Sequence, residues 1–335
     1  MPWVLFAFSA LVIAVAGTKL SHYGDRLAEH TGLGRLWIGV VLLAGATSLP
    51  EALTAVSASL LDAPNIAAGD LLGAGLSNML TLALIDLVYR EKRVWRQTAL
   101  EQALIATLAI VLTGLAGLLI VVRQPVPIGG VGLGTVAIAT IYILGMRVVF
   151  RQEDMRRRES ERKRLVASEE RRGEAPAGAL RRAGLGFAAA SLALLAAAPL
   201  LAESAKDIAA ATGISTTFIG TSLVAVTTSL PELVVSIAAV RLGAFDLAVG
   251  NLFGSNAINM ALLFVADAAY RRGPLLASID TAHAVTAFVG ILLMSVGLMG
   301  IVYRAEQRFV LIEPDSVLMI VGYLLGMGLV YRMGG

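Results

Sequence analysis

Thr47-Ser48-Leu49-Pro50-Glu51 sits inside one long apolar stretch, and 181 residues later Thr228-Ser229-Leu230-Pro231-Glu232 sits inside another. The same offset pairs Thr31-Gly32 with Thr212-Gly213, Ile38-Gly39 with Ile219-Gly220, and Ala44 with Ala225. Further on it pairs Gly69 with Gly250, Gly73 with Gly254, and Asn78-Met79 with Asn259-Met260. No gap is needed across nearly fifty residues, so the chain is read as a duplication.

Outside the motif the chain stays apolar. Of its 335 residues 57% are hydrophobic and 15% charged, where soluble domains run near ~25% charged. Apolar runs long enough to cross ~30 Å of hydrocarbon as helices recur from end to end. The short alternating segments of a β-barrel are missing. Spans are expected near 2–20, 36–61, 65–88, 98–122, 126–149, 184–202, 214–241, 246–269, 276–302 and 315–332. The fold class is therefore an all-α membrane protein with ten transmembrane helices. The first apolar stretch has no basic flank before it and reads as a span, not a cleaved leader. With no cysteine, disulfides, thiolate catalysis and zinc–thiolate sites are excluded.

Charge sets the expected orientation. With the N-terminus outside, 22 of the 27 Lys and Arg residues fall on one face of the membrane, which makes that face cytoplasmic. Arg271 and Arg272 are the local exception. The segment 151–183 is expected to be a basic cytoplasmic linker between a first five-helix unit at 1–150 and a second at 184–335. It lacks aromatic interleaving, so nucleic acid is not an expected partner. Five spans per half is an odd number, so the second half enters the bilayer from the opposite side. Such inverted repeats are the plan of secondary transporters, whose substrate sites lie near the midplane.

Glu51 and Glu232 fall near the centres of spans 2 and 7. A charge at that depth costs a few kcal/mol even on the lower insertion scale. One such residue can be satisfied by a neighbouring amide; two at equivalent positions point to a shared ligand. Pro50 and Pro231 remove a backbone donor just before each glutamate, freeing the carbonyls of Ala46 and Thr227. Thr47, Ser48, Thr228 and Ser229 add hydroxyls, and the three-residue spacing places Ser48 on the helix face of Glu51. Spans 3 and 8 contribute Asn78 and Asn259, with Ser255 one turn before Asn259. The glycines between them allow close helix packing. Carboxylates, amides, hydroxyls and carbonyls are the hard oxygen donors that Ca2+ takes six to eight of. His22, His30 and His283 lie at span ends or in loops and form no cluster for a softer metal.

The two Thr-Ser-Leu-Pro-Glu segments and the stretch 250–259 resemble the paired α-repeats of the calcium/cation antiporter superfamily, especially its sodium/calcium exchanger branch. The resemblance covers roughly 19–85 and 203–270. It implies metal ligation by the carboxylates of Glu51 and Glu232 and the hydroxyls of Thr47, Ser48, Thr228 and Ser229. It adds the carbonyls of Ala44 and Ala225 and the polar groups of Asn78, Asn259 and Ser255. It implies no cofactor, with Ca2+ and Na+ as the transported ions, and alternating access by sliding of spans 1 and 6. Two departures stand out. Ala74 occupies the first-repeat position of Ser255, and position 259 is Asn where many relatives carry Asp. Two formal negative charges are then expected at the site. Asp70, the counterpart of Asn251, is read either as lining an access path or as a solvated charge at a span end, with the second reading preferred.

The expected function is Na+/Ca2+ antiport, with the bilayer and the transported cations as partners and the inner membrane as location. No nucleotide-binding Gly-x-x-x-x-Gly-Lys motif is present, which points to an ion gradient as the energy source. Proton-coupled exchange of Ca2+ or another divalent ion is the alternative, because desolvation favours the neutral form of a carboxylate. A non-transporting relative is a further one, made credible by Ala74. An intramembrane enzyme would need a nucleophile beside the carboxylates, and none is found.

Overall fold

The computed structural model describes residues 2–31, 44–89, 101–123, 126–164, 178–241, 243, 245–303 and 314–333. Gly32, Ile38 and Gly39, the early part of span 2, the basic residues at 90–96 and linker residues 165–177 lie outside the described set.

The long helices are α1 (Pro2–Thr31), α4 (Pro64–Val88), α5 (Glu101–Val122), α6 (Leu133–Arg164), α7 (Ala179–Thr212), α11 (Phe245–Ala269), α13 (Ala282–Tyr303) and α14 (Pro314–Met333). The short ones are α2 (Ala44–Thr47), α3 (Leu49–Leu60), α8 (Thr216–Ile219), α9 (Ala225–Thr228), α10 (Leu230–Arg241) and α12 (Leu275–Ser278). Eight helices among the described residues can each cross a bilayer by length and composition. The pair Thr216–Thr228 and Leu230–Arg241, bent by 43°, makes a ninth. Its first-half counterpart is described only over 44–60.

The helix is interrupted at the equivalent residue in both repeats, for the same reason. Pro50 and Pro231 have no N–H to donate, so the helix stops at Ser48 or Ser229 and restarts one residue later. The second is loosened further by a π-helical turn at Gly220–Val224, the kind of bulge often found at functional sites.

The helices α4 and α11 are the axis. Both are mostly buried and have no separate solvent face, and the polar residues they carry point into the bundle's interior. Around them α5, α13 and α14 turn Leu118, Phe288, Leu292, Leu324 and Leu325 outward, where lipid accepts them. The 30-residue α1 and 34-residue α7 lie against each other. At ~1.5 Å per residue both outrun ~30 Å of hydrocarbon. α1 passes directly over both prolines: a Cβ at Gly17 would lie 2.4 Å from Pro231 Cγ and 3.4 Å from Pro50 Cγ.

Several boundaries differ from expectation. Span 5 begins with a hairpin, Pro127–Ile128 paired with Val131–Gly132. Its turn residues Gly129 and Gly130 have φ of +60° and +90°, the conformation Gly-Gly hairpin turns require. The helix after it continues to Arg164, so the front of the expected linker is helical. The exceptional Arg272 is paired with Asp62 at 2.9 Å, with both side chains partly in the open.

The duplication reaches further than the sequence reading took it. Asp86 and Asp267 are 181 apart, as are Thr135 and Ser316. Ser316 Oγ donates to Asp86 at 2.6 Å, and Thr135 Oγ1 donates to Asp267. Each pair ties one half of the molecule to the other. Asp267 also accepts from Gly132 N at 2.9 Å and Leu275 N at 2.7 Å, which anchors the hairpin and α12. Removing a buried acceptor leaves its donors unsatisfied at about 1–3 kcal/mol each. Asp267→Ala is therefore expected to lower stability by about 3 kcal/mol or more, and Asp86→Ala by less. Thermal unfolding of the detergent-solubilised variants checks this; the reverse order would refute the anchoring role.

Candidate functional site

The two helix breaks face each other beside α4 and α11. Ser48 and Ser229 occupy the breaks themselves, where the backbone has left the helix. Their hydroxyls therefore do not follow the helical face of their own glutamate. Each reaches the glutamate of the other repeat. Ser229 Oγ donates to Glu51 Oε1 at 3.2 Å, and Ser48 Oγ lies 3.5 Å from Glu232 Oε1. The face-sharing expected for Ser48 and Glu51 is thus replaced by a crossed pairing.

Around Glu232 the polar set is dense. Ser255 Oγ donates to Glu232 Oε1 at 3.0 Å and meets Ser48 Oγ at 2.7 Å. At Glu51 the hydroxyl donor is Ser229, and Ala74, the counterpart of Ser255, has no hydroxyl to add. Thr47 Oγ1 contacts Asn251 Oδ1 at 3.5 Å. Its counterpart Thr228 Oγ1 donates to Asp70 Oδ1 at 2.7 Å and lies 3.2 Å from the carbonyls of Val224 and Ala225.

Asn78 Nδ2 donates to Asn256 Oδ1 at 2.8 Å, and Asn256 Nδ2 reaches the Gly75 carbonyl at 3.4 Å. Asn259 is fully buried with both amide atoms unpaired. Glu51, Asp70 and Glu232 are each 0% exposed. Glu51 Oε2, Glu232 Oε2, Asp70 Oδ2 and Asn78 Oδ1 have no protein hydrogen-bond partner. Buried polar atoms are nearly always paired, so this concentration of orphan oxygens is a chemical signature. Among the described residues no three acidic or histidine side chains converge on one point as in a resident metal centre. The donor set is mixed: carboxylates, hydroxyls, amides and carbonyls. That suits a hard, exchangeable cation more than a fixed cofactor.

The sequence model of the sodium/calcium exchanger protein family matches residues 1–150 and 183–332. The chain belongs to the sodium/calcium exchanger family. Members of this family are transporters. This exchanger-family chain is 27% identical over 259 residues to the inner membrane protein YrbG of Escherichia coli, covering 77% of each. It is 57% identical to the sodium/calcium exchanger MaX1 of Methanosarcina acetivorans over 51 residues, 15% of each chain. Its fold is similar to that of the sodium–calcium exchanger NCX_Mj, with a TM-score of 0.61 at 20% identity over 98% of both chains. YfkE matches with a TM-score of 0.67 at 17% identity, covering 99% of this chain and 93% of that one. The chain is an integral membrane protein with two inverted five-helix repeats.

Within this exchanger fold, Glu51, Glu232, Ser48, Ser229 and Ser255 come together in one buried group. Thr47 and Thr228 flank it through Asn251 and Asp70. The Ala225 carbonyl lies beside the Thr228 hydroxyl, and Ala44 opens α2. Asn78 and Asn259 are buried on α4 and α11. Asp70 requires a correction. It is not a solvated span-end charge but a buried carboxylate held by Thr228. The π turn at Gly220–Val224 and α9 pack on α4 there and close Asp70 off from solvent. The buried carboxylates of this region therefore number three. Asn251 and Asn256 were also missed as part of the polar network. For Asn251 the repeat is the signal, since its counterpart is Asp70, whereas the counterpart of Asn256 is Gly75 and gives none.

Proposed function

We propose that this chain is a secondary antiporter that exchanges Ca2+ for Na+ by alternating access. The observation that carries the proposal is the crossed pairing of Ser48 with Glu232 and Ser229 with Glu51, each glutamate keeping one buried oxygen unpartnered. Two carboxylates match the charge of one Ca2+. The hydroxyls of Thr47, Ser48, Thr228, Ser229 and Ser255, the amides of Asn78 and Asn259, and the carbonyls of Ala44 and Ala225 would complete its oxygen shell. Na+ would compete for the same oxygens.

α1 and α7 form the element that would slide. They pack on each other, and Gly17 gives α1 a smooth crossing over Pro50 and Pro231. We place the N-terminus outside and the basic linker between the two halves in the cytoplasm, at the inner membrane, on the strength of the Lys and Arg distribution.

Purified protein reconstituted into vesicles is expected to take up radiolabelled Ca2+ when an outward Na+ gradient is imposed. Uptake that ignores Na+ but follows a pH gradient would replace Na+ by H+ as counter-ion. Specific Ca2+ binding without any flux would mark a non-transporting relative.

A further inference from the structure

Two of the places where the pseudo-symmetric site is uneven lie one turn apart on α4. Positions 70 and 251 are counterparts, yet one holds a carboxylate and the other an amide. Positions 74 and 255 are counterparts, yet Ser255 donates to Glu232 while Ala74 has nothing to donate. Asp70 and Ala74 are four residues apart on α4, one turn along a shared face. The half that loses a hydroxyl therefore gains a charge one turn away.

The neighbourhood of Asp70 is made of oxygen. Thr228 Oγ1 lies within 3.2 Å of three acceptors: Asp70 Oδ1 and the carbonyls of Val224 and Ala225. It has one proton and can satisfy one of them well. The Ala225 carbonyl already accepts from Ser229 N at 3.1 Å and keeps a second lone pair, so carboxylate, hydroxyl and carbonyl oxygens converge where a cation could be held. Asp70 Oδ2 is buried with no partner, and so is the hydroxyl of Thr221 on the adjoining π turn. The turn is brought against α4 at Gly69 and Gly73, where a Cβ would strike the Thr221 backbone.

We propose that Asp70 sets the monovalent-against-divalent selectivity of the site by holding an alkali cation with Thr228 and the Val224 and Ala225 carbonyls. The inference rests on the cation-exchange reading above. One carboxylate matches a single positive charge, while Glu51 and Glu232 together match a divalent one. Asp70 touches the monovalent ion directly and acts on Ca2+ only across a longer gap, where Coulomb attraction is weaker.

The test compares wild type with Asp70→Asn, an amide that the fold already carries at the equivalent position 251. Radiolabelled Ca2+ bound to the full-length purified protein is displaced by NaCl at constant ionic strength. Half-displacement from Asp70→Asn is expected to need at least about tenfold more Na+. Ca2+ affinity without Na+ is expected to fall by less than about threefold. Asp70→Glu, which keeps the charge, should retain most of the Na+ sensitivity. Equal displacement in wild type and Asp70→Asn overturns the selectivity role alone. So does a Ca2+ affinity loss as large as the Na+ effect, including complete loss of Ca2+ binding. Failure of Na+ to displace Ca2+ from wild type overturns sodium coupling, and this inference with it.

Discussion

Glu51→Gln and Glu232→Gln are each expected to reduce ion-driven Ca2+ flux in reconstituted vesicles to background. Glutamine keeps the size of the side chain and still offers an oxygen to Ser229 or to Ser255, so the crossed contacts can persist. What it removes is half of the charge that faces a divalent ion. In a buried, water-poor setting that charge is not replaced by solvent. The apparent Ca2+ affinity is expected to fall by more than about a hundredfold, near 2.8 kcal/mol. Because each glutamate belongs to a different repeat and the two sit in one group, the single substitutions should be similarly severe. Size-exclusion profiles without Ca2+ should match wild type, separating a lost ligand from a lost fold. Flux retained by either variant would remove the carboxylate pair from the mechanism.

Gly73→Ala should be the most damaging of the small changes in the buried axis. A Cβ there would stand 2.4 Å from the Thr221 carbonyl oxygen, 2.7 Å from Thr221 Cα and 2.8 Å from Ala225 Cβ. Two of those atoms are backbone, so no rotamer change relieves the clash. Gly69 and Gly220 meet the opposing backbone within 3.1 Å in the same way, so the whole contact is glycine-lined. Overpacking of this kind costs about 1–3 kcal/mol. The displaced turn leads straight into Ala225 and Thr228, so ion binding should suffer together with stability. We expect a lower unfolding temperature and at least about tenfold weaker Ca2+ binding. A variant that melts and binds as wild type would show that the two segments separate freely.

Much of this architecture was legible from two short motifs. The matched Ser-Leu-Pro-Glu segments and the 181-residue offset identify the duplication, the helix breaks and the buried glutamates. Odd span number and charge distribution supply the inversion. The contacts made by Ser48 and Ser229 were not legible, because helical-face reasoning assumes a helix where the prolines have ended one. Asp70 was misread for a related reason. A charge near an estimated span end looks solvated until Thr228 of the other repeat is seen to reach it. The π turn at Gly220–Val224 leaves no composition signal at all. Asp86, Thr135, Asp267 and Ser316 could have been found, since the offset that aligned the glutamates also aligns them. They were passed over because an isolated hydroxyl or carboxylate near a span end carries little information without its partner.

The exchange of serine partners across the breaks also says something about assembly. The first half holds Glu51 but not the hydroxyl that serves it, which comes from position 229, and Glu232 has Ser255 from its own half but takes Ser48 from the other. Neither half is a working unit in isolation. Supplied as two polypeptides, the halves would have to insert with opposite polarity and dock before the crossed contacts could form, so during synthesis the site cannot be completed until α11, which carries Ser255, has joined the first half.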